Sequence, residues 1–322
     1  MLVGHQKKWQ FLKKSAEMGK VPHAVLFCGG SKLGKKTLAI EFAKLLNCAS
    51  KDFSKRPCNV CRSCLDIHKG IHPDFILVEP AGAGREIQIG QIRGLISKLS
   101  LRSYSAPFRV AVLDQAHAMT KEAQGSFLKL LEEPKGKNTV LILITEYPES
   151  LLPTIISRVQ KLKFFPTESK EIEDYLSSKN LSGDKIKEIS GLALGRPGVA
   201  IDLLLNPRSL DGQKQLISDL IKISKLDLAG RFKYAKNLSE AEDEPPAPSI
   251  GYILDVWTEY LRKVLLSRFL KLIMDPDLIS PFSGYSEAKI KKIIALLQSV
   301  RFLTASTNVN SKLALEMFFI EI

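Results

Sequence analysis

The sequence predicts an α/β domain with a parallel sheet in its first half and an all-helical second half. Between residues 24 and 164, short apolar runs alternate with stretches whose apolar residues recur at helical spacing. Strands that alternate with helices form parallel sheets, and strands buried on both faces have continuous apolar sequences. A glycine-rich loop follows the first apolar run, and from Glu168 onward only helical patterns occur.

Composition indicates a soluble globular protein of two or three domains. The 322 residues are 45% hydrophobic and 25% charged, which allows a sizeable core. The net charge of +13 favours nucleic acid as a partner, although the lysines are dispersed and a solvated basic surface is the alternative. No apolar run reaches the ~18 residues of a membrane span, and no signal peptide is recognisable. We therefore expect a cytoplasmic protein without a membrane partner.

Five strands are predicted, with helices between them. The strands are residues 24–28, 75–78, 109–113, 139–144 and 160–164, and the helices lie near 9–19, 38–46, 87–99, 121–131 and 149–156. We expect the α/β domain to cover 1–166, a small helical domain 167–206 and a longer helical domain 207–322. An acidic, proline-rich stretch at 239–249 is expected to be an exposed loop.

The loop from Gly29 to Thr37 lies between a strand and a helix, which is the context of a phosphate-binding P-loop. Gly29, Gly34 and Lys35 have the spacing of that motif, whose amides and helix dipole can cradle phosphates. Lys36 replaces the Ser or Thr that binds magnesium, and Thr37 points about 100° away from that position. We expect Lys36 and Lys35 to repel each other. These five residues predict a degenerate site that could still hold ATP or ADP.

Four cysteines have the spacing of metal ligands. Cys48, Cys58, Cys61 and Cys64 are separated by nine, two and two residues, and in a cytoplasmic chain this spacing favours metal over disulfides. Four thiolates at about 2.3 Å suit a structural Zn²⁺ ion, and an iron–sulfur centre is the alternative. The fifth cysteine, Cys28, lies on the first strand and is expected in the core.

A second motif of nucleotide chemistry ends the third predicted strand. The apolar run 109–113 is followed by Asp114, the arrangement in which an aspartate supports magnesium in P-loop proteins. The next residue is Gln115, where such sites normally carry a glutamate that activates the attacking water. Glutamine can hold a water but accepts no proton, so we expect hydrolysis to be severely reduced.

Further patterns occur in residues 121–134, in Leu143-Ile144-Thr145, in residues 152–159 and in residues 308–316. Together with the P-loop and the cysteine module, they resemble the clamp-loader subunits of the bacterial replicative polymerase, which are AAA+ P-loop proteins. The resemblance implies Thr145 as the sensor-one residue and Arg158 as an arginine finger that completes a neighbour's ATP site in trans. It also implies that the two helical domains are a lid and a collar.

That family contains motor subunits that hydrolyse ATP and partners that do not, and four positions here favour the second kind. Compared with the motors, Lys32 replaces the middle glycine of the loop, Lys36 the threonine, Gln115 the glutamate and Gly198 the sensor-two arginine. The resemblance therefore implies a non-motor subunit whose hetero-pentamer, with motor and delta subunits, loads the sliding clamp on primed DNA. Contacts of this chain with DNA are expected to be secondary.

Two other functions are compatible with the same motifs. The first alternative is an active, ATP-hydrolysing motor subunit of the same loader, favoured by the intact Gly34, Lys35, Asp114 and Thr145. The second is a P-loop enzyme that transfers phosphate to a small substrate, against which the helical second half and Arg158 argue.

Overall fold

The computed structural model describes residues 2–81, 86–101, 106–134, 138–241, 249–269, 280–306 and 309–322. The chain forms two compact units, Met1–Ile201 and Asp202–Ile322. Most of the predicted acidic loop, residues 242–248, lies outside the described residues, as does Asn308 of the C-terminal motif. The further division into lid and collar domains stays a prediction.

A five-stranded parallel sheet organises the first unit, as the sequence predicts. The strands are β1 (Ala24–Cys28), β2 (Phe75–Val78), β3 (Arg109–Leu113), β4 (Thr139–Thr145) and β5 (Gln160–Lys163), in the order β2-β3-β4-β1-β5. Every neighbouring pair is parallel. All carboxyl ends therefore meet at one edge, where ligands of open α/β sheets bind.

Helices account for the rest of the regular structure. Those of the first half are α1 (Gln6–Glu17), α2 (Lys35–Asn47), α3 (Arg62–His68), α4 (Ile89–Ser100), α5 (Lys121–Glu132) and α6 (Pro153–Ile156). Those of the second half are α7 (Ser169–Ser177), α8 (Gly183–Ala193), α9 (Pro197–Leu205), α10 (Pro207–Ser224), α11 (Leu228–Ala241), α12 (Ile250–Ser267), α13 (Glu287–Ser306) and α14 (Ser311–Glu321). The described residues after β5 contain no strand, in agreement with the helical prediction. No described helix combines the length and the apolar composition that crossing a bilayer requires.

Strands β1, β3 and β4 are covered on both faces, which explains their continuous apolar sequences, whereas the edge strand β5 is largely exposed. Leu26 and Cys28 of β1 join one hydrophobic cluster with residues of α4 and α5. Val25 and Phe27 alternate with them and join a second cluster with residues of α2. Because successive side chains of a strand point to opposite faces, burial on both sides requires an apolar residue at every position.

The predicted helix at 149–156 is two shorter pieces in the structure. A 3-10 turn covers Pro148–Ser150, and α6 begins only at Pro153. Proline suits the first position of a helix but disfavours the helical conformation in the residue before it. Leu152 accordingly has φ −54° and ψ 137°. This break fixes the start of the short helix that leads to Arg158.

An aromatic core holds the second unit together. Trp257 of α12 is fully buried, and its indole N–H donates to the carbonyl oxygen of Leu216 in α10 at 2.8 Å. Its ring stacks on Phe318 of α14 at 5.8 Å between centroids, and Phe319 meets it edge-on at 6.1 Å. Large aromatic rings bury much apolar area, so these contacts join α10, α12 and α14.

Candidate functional site

The loop after β1 has the backbone of a P-loop. Gly29 has a φ of 147°, and a Cβ there would lie 2.3 Å from the carbonyl oxygen of Phe164, so a larger residue does not fit. Gly34 caps α2 with a φ of 84°. Lys32, which replaces the middle glycine, also has a positive φ of 58°. The loop keeps a glycine-like conformation at Lys32. This is expected to lower the stability of the fold, because left-handed geometry strains residues with a Cβ.

Lys35 is buried against its own loop. The residue is 6% exposed, and its Nζ donates to the carbonyl oxygen of Gly29 at 2.6 Å and to that of Gly30. Burial lowers the pKa of Lys35, while the negative charges of Glu146 and Asp114 oppose that shift. The ammonium group that would meet a phosphate is thus held at the mouth of the loop.

The predicted repulsion between Lys36 and Lys35 is relieved by two carboxylates. Lys36 Nζ lies 2.5 Å from Glu79 Oε1 and 3.4 Å from Asp114 Oδ2. Burial alone lowers the pKa of Lys36, but the hydrogen bond with Glu79 and the charges of Asp114 and Glu79 raise it overall. The neighbouring cation that lowers the pKa of Lys35 is Arg196, whereas Lys36 was expected to act on it.

Asp114 directly follows β3 and is fully engaged. Its Oδ1 accepts the backbone N–H of Gln115 at 3.0 Å, and its Oδ2 pairs with Lys36. Gln115 has a φ of 54°, which places it in the left-handed region. Thr37, the hydroxyl nearest in sequence, is exposed on α2. The arrangement brings the predicted groups together but supplies neither a hydroxyl at position 36 nor a carboxylate at position 115.

Thr145, the predicted sensor, closes the same edge of the sheet. The register pairs Thr145 with Cys28, and its carbonyl oxygen accepts the N–H of Gly29 at 3.2 Å. The buried hydroxyl lies 3.2 Å from His117 Nδ1 and accepts the N–H of Tyr147 at 3.0 Å. Thr145 therefore connects the loop to the segment that follows β3.

Arg196 approaches the loop, a contact that no local sequence pattern predicts. The residue is 9% exposed, and its Nη1 donates to Ser31 Oγ at 3.3 Å. Gly198, two residues later, donates its N–H to the carbonyl oxygen of Lys32 at 2.9 Å. A Cβ at Gly198 would lie 2.9 Å from that same oxygen. Glycine at this position permits close contact between α9 and the loop, and its place at the sensor-two position stays a prediction.

The four predicted cysteines converge on one point. The Sγ atoms of Cys48, Cys58, Cys61 and Cys64 all lie within 4.8 Å of one another. Zinc–sulfur bonds of about 2.3 Å place the sulfurs of a tetrahedral site about 3.8 Å apart, so the cluster fits such an ion. N–H groups of Val60 and Cys61 lower the pKa of the Cys58 thiol to about 6, and burial raises that of Cys64. The lowered pKa of Cys58 favours the thiolate that binds a metal, whereas at Cys64 the metal would have to displace a proton. The four sulfurs lie close enough to hold one metal ion.

A histidine near the cysteines has a different role. His72 is buried, and its Nδ1 accepts the N–H of Asp74 at 3.1 Å. Its Nε2 lies 3.2 Å from Ser63 Oγ. Both ring nitrogens are therefore used within the fold, and the metal-capable group in the described part of the chain consists of cysteines alone.

Arg158 lies just beyond α6, where its guanidinium has three partners. Its side chain is 39% exposed, and Nη2 lies 3.0 Å from Glu132 Oε1 at the end of α5. Nη1 donates to the carbonyl oxygen of Thr154 at 3.1 Å and to Ser157 Oγ at 3.3 Å. The guanidinium is oriented but accessible. Neither Glu132 nor its pairing was predicted.

Gln124 fixes the segment that leads to α6. Its buried Nε2 donates to the carbonyl oxygens of Met119 at 3.3 Å and Ser150 at 3.2 Å. Its Oε1 accepts the N–H of Leu152 at 2.8 Å. One buried amide therefore ties α5 to the chain just before the arginine. A polar residue among the apolar positions of α5 is the signal that could have identified it.

Known proteins match most of this chain. A family model described as DNA polymerase III, delta subunit, matches residues 4–168. The chain is 35% identical over 209 residues to DNA polymerase III subunit delta' of Bacillus subtilis, covering 65% of this chain and 61% of that protein. It is 30% identical over 244 residues to subunit delta' of Pseudomonas aeruginosa, covering 73% and 70%. It is 29% identical over 209 residues to subunit gamma of Buchnera aphidicola, covering 63% and 56%.

The matched region thus spans 61% of the Bacillus subtilis relative. Residues 4–168 include the P-loop, the cysteine cluster, Asp114, Thr145 and Arg158. The family match and the delta-prime relatives agree with the resemblance drawn from the motifs. The chain belongs to the DNA polymerase III delta-prime family of AAA+ clamp-loader subunits.

Proposed function

We propose that this chain is the non-motor partner in a cytoplasmic clamp loader, assembled with motor and delta subunits into a hetero-pentamer. The assembly loads the sliding clamp on primed DNA, and the motor subunits hydrolyse the ATP. One observation carries the non-motor assignment: Lys36 pairs with Asp114 where a motor site needs a hydroxyl and a magnesium ion. Gln115 adds to it, because a glutamine accepts no proton from water.

The second part of the proposal concerns Arg158. We assign it as the arginine finger that this chain supplies to the ATP of a neighbouring motor subunit. Its accessibility and its three orienting partners, Thr154, Ser157 and Glu132, support that role. An arginine supplied in trans stabilises the charge of the transition state and is worth about 10³–10⁵ in rate.

The remaining assignments follow from the same family. The four cysteines would hold a structural Zn²⁺ ion, and the loop would hold a nucleotide that is not turned over. Residues 167–206 would form the lid, and residues 207–322 would form the collar that joins the partner subunits. The chain's net charge of +13 is compatible with secondary contacts to DNA phosphates.

Arg158→Ala in a reconstituted loader tests the assignment. ATP turnover at the site that Arg158 completes should fall by about 10³-fold or more, with clamp loading lost in parallel. Arg158→Lys keeps the charge but loses the planar fork, so it should restore only a small part of the rate. Arg62→Ala, which removes a highly exposed arginine beside the cysteines, is the matched control and should leave turnover unchanged. Unchanged turnover in Arg158→Ala would refute the finger.

The alternative, an active motor subunit, is favoured by one observation. Gly29, Lys35, Asp114 and Thr145 do assemble at one edge of the sheet, as in an ATPase site. Magnesium-dependent ATP turnover by the purified chain decides between the two functions. Turnover at a rate comparable with that of a motor subunit would establish the alternative.

A further inference from the structure

Two carboxylates lie side by side at the carboxyl edge of the sheet, and a lysine lies between them. Glu79 follows β2 directly and Asp114 follows β3 directly, and the register of these neighbouring strands pairs Val78 with Leu113. The next residues are therefore adjacent in space. Lys36 Nζ contacts both of them, at 2.5 Å from Glu79 Oε1 and 3.4 Å from Asp114 Oδ2.

The position of that ammonium group is informative. In a P-loop, the residue after the invariant lysine supplies a hydroxyl to Mg²⁺, and an aspartate at the end of a strand supports the same ion. In this chain Lys36 occupies the hydroxyl position, and its side chain reaches the aspartate. The positive charge that a P-loop normally recruits from solution is here covalently attached to the chain.

The surroundings maintain that charge. Burial alone lowers the pKa of Lys36, but the hydrogen bond with Glu79 and the charges of Asp114 and Glu79 raise it overall. The side chain of Asp114 is 16% exposed, and its other oxygen accepts the N–H of Gln115. A divalent cation would have to displace the ammonium from both carboxylates and then lie beside it, so the residues present do not fit Mg²⁺.

The phosphate half of the loop is less altered. Lys35 and Arg196 are 6% and 9% exposed, and both have their charged groups at the loop. A Cβ built on Gly30 would meet Leu33 Cδ1 at 3.9 Å and Arg196 Nη2 at 4.0 Å, which is ordinary van der Waals contact. The amides at the start of α2 lack acceptors within the helix and form an anion-binding end.

We propose that the ammonium group of Lys36 is a built-in substitute for the divalent cation, so that this loop takes a nucleoside di- or triphosphate in its metal-free form. The binding of metal-free nucleotide rests on the proposed nucleotide site. The replacement of the cation by Lys36 does not, because it concerns the contacts of Lys36 with Glu79 and Asp114.

The replacement of the cation by Lys36 is tested by measuring Mn²⁺ binding to nucleotide-free protein. Bound Mn²⁺ is detected as loss of the free-ion signal in electron paramagnetic resonance. The full chain is used with its cysteine site intact, because thiolate sites favour zinc and Mn²⁺ favours oxygen ligands. The wild type should bind no Mn²⁺ here. Lys36→Thr should gain Mn²⁺ binding through a hydroxyl and two carboxylates, and adding Asp114→Asn should abolish the gain. If a folded Lys36→Thr gains no Mn²⁺ binding, the substitution of the cation by Lys36 is refuted.

Nucleotide affinity, measured for the wild type and for Lys36→Thr, provides a second test. The wild type should bind ATP and ADP less tightly when magnesium is added than when it is omitted, because magnesium complexes the free nucleotide and the loop takes only the metal-free form. The affinity of Lys36→Thr for ATP should be at least about tenfold higher with magnesium than without it, because the metal and nucleotide sites are then coupled. Such a magnesium effect in the wild type would overturn the proposal.

Mn²⁺ binding and nucleotide affinity together distinguish failure of the nucleotide site from failure of the role of Lys36. If the wild type binds no nucleotide in either condition, while Lys36→Thr gains Mn²⁺ binding, then the nucleotide site is refuted and the role of Lys36 stands. If nucleotide binds tightly only with magnesium, the site stands and the role of Lys36 is refuted.

Discussion

Gly198→Ala should destabilise the first unit, because the added methyl group has no space. Its Cβ would lie 2.9 Å from the carbonyl oxygen of Lys32, and that carbonyl also accepts the N–H of Gly198 at 2.9 Å. Backbone atoms move less readily than side chains, so α9 must shift away from the loop. Overpacking of this kind costs about 1–3 kcal/mol, and the better helix propensity of alanine returns about 0.5–1 kcal/mol.

The net loss should be at most about 2.5 kcal/mol, which for a unit of this size lowers the melting temperature by up to about 10 °C. Thermal unfolding followed by circular dichroism measures it. The matched control is Gly125→Ala in α5, where an added Cβ meets nothing within 4 Å, and this variant should gain about 0.5–1 kcal/mol. If Gly198→Ala is as stable as Gly125→Ala, the contact between α9 and the loop is not the constraint inferred here.

Four further predictions follow from single residues. Cys61→Ser should abolish metal binding by the purified chain and lower its melting temperature, as metal analysis and thermal unfolding would detect, because a structural zinc site needs all four ligands. Gln124→Leu should cost about 1–3 kcal/mol in denaturant unfolding, because it removes the partner of the partly buried Leu152 N–H and of the buried Met119 carbonyl. Burial lowers the pKa of His5, so its contribution to stability should be present above pH 6.5 and lost as the pH falls below that value. Lys32→Gly should raise stability by about 0.5–1 kcal/mol, because glycine adopts a positive φ without strain.

Each of these predictions has a control. Cys28→Ala, outside the cluster, should retain the metal, and retention in Cys61→Ser would contradict the site. Lys129→Leu, at an exposed position of the same helix, should change stability by less than about 0.5 kcal/mol. His5→Gln should flatten the loss of stability below pH 6.5, and an unchanged slope would exclude His5 as its source. Lys187→Gly, inside α8, should lose about 1 kcal/mol, the opposite sign to Lys32→Gly.

Local patterns were sufficient for the sheet and for the groups at its edge. A doubly covered parallel strand must be apolar at every position, so β1, β3 and β4 could be recognised without any tertiary information. The cysteine cluster could be recognised because its spacing within the chain restricts where the sulfurs can lie. The helix at 149–156 was predicted as one piece because helical periodicity outweighed Pro153, whose effect on the preceding residue breaks it.

Contacts between distant parts of the chain could not be predicted in this way. Glu79 pairs with Lys36 only because β2 lies next to β3, and strand order is not determined by the apolar pattern of either strand. Arg196 reaches Ser31 across 165 positions of sequence. Glu132 meets Arg158 because the buried amide of Gln124 holds the intervening segment against α5.

By itself, the sequence determined the P-loop spacing of its glycines and lysine, the metal-ligand spacing of four cysteines and the position of Arg158, whose role as a finger stays a prediction. It also determined that a hydroxyl and a carboxylate are missing at positions 36 and 115. Only the tertiary structure decided what Lys36 does, because a charge acts according to what lies within a few ångströms of it. Sequence alone predicted repulsion from Lys35, whereas the order of the strands gives Lys36 the carboxylates of Glu79 and Asp114.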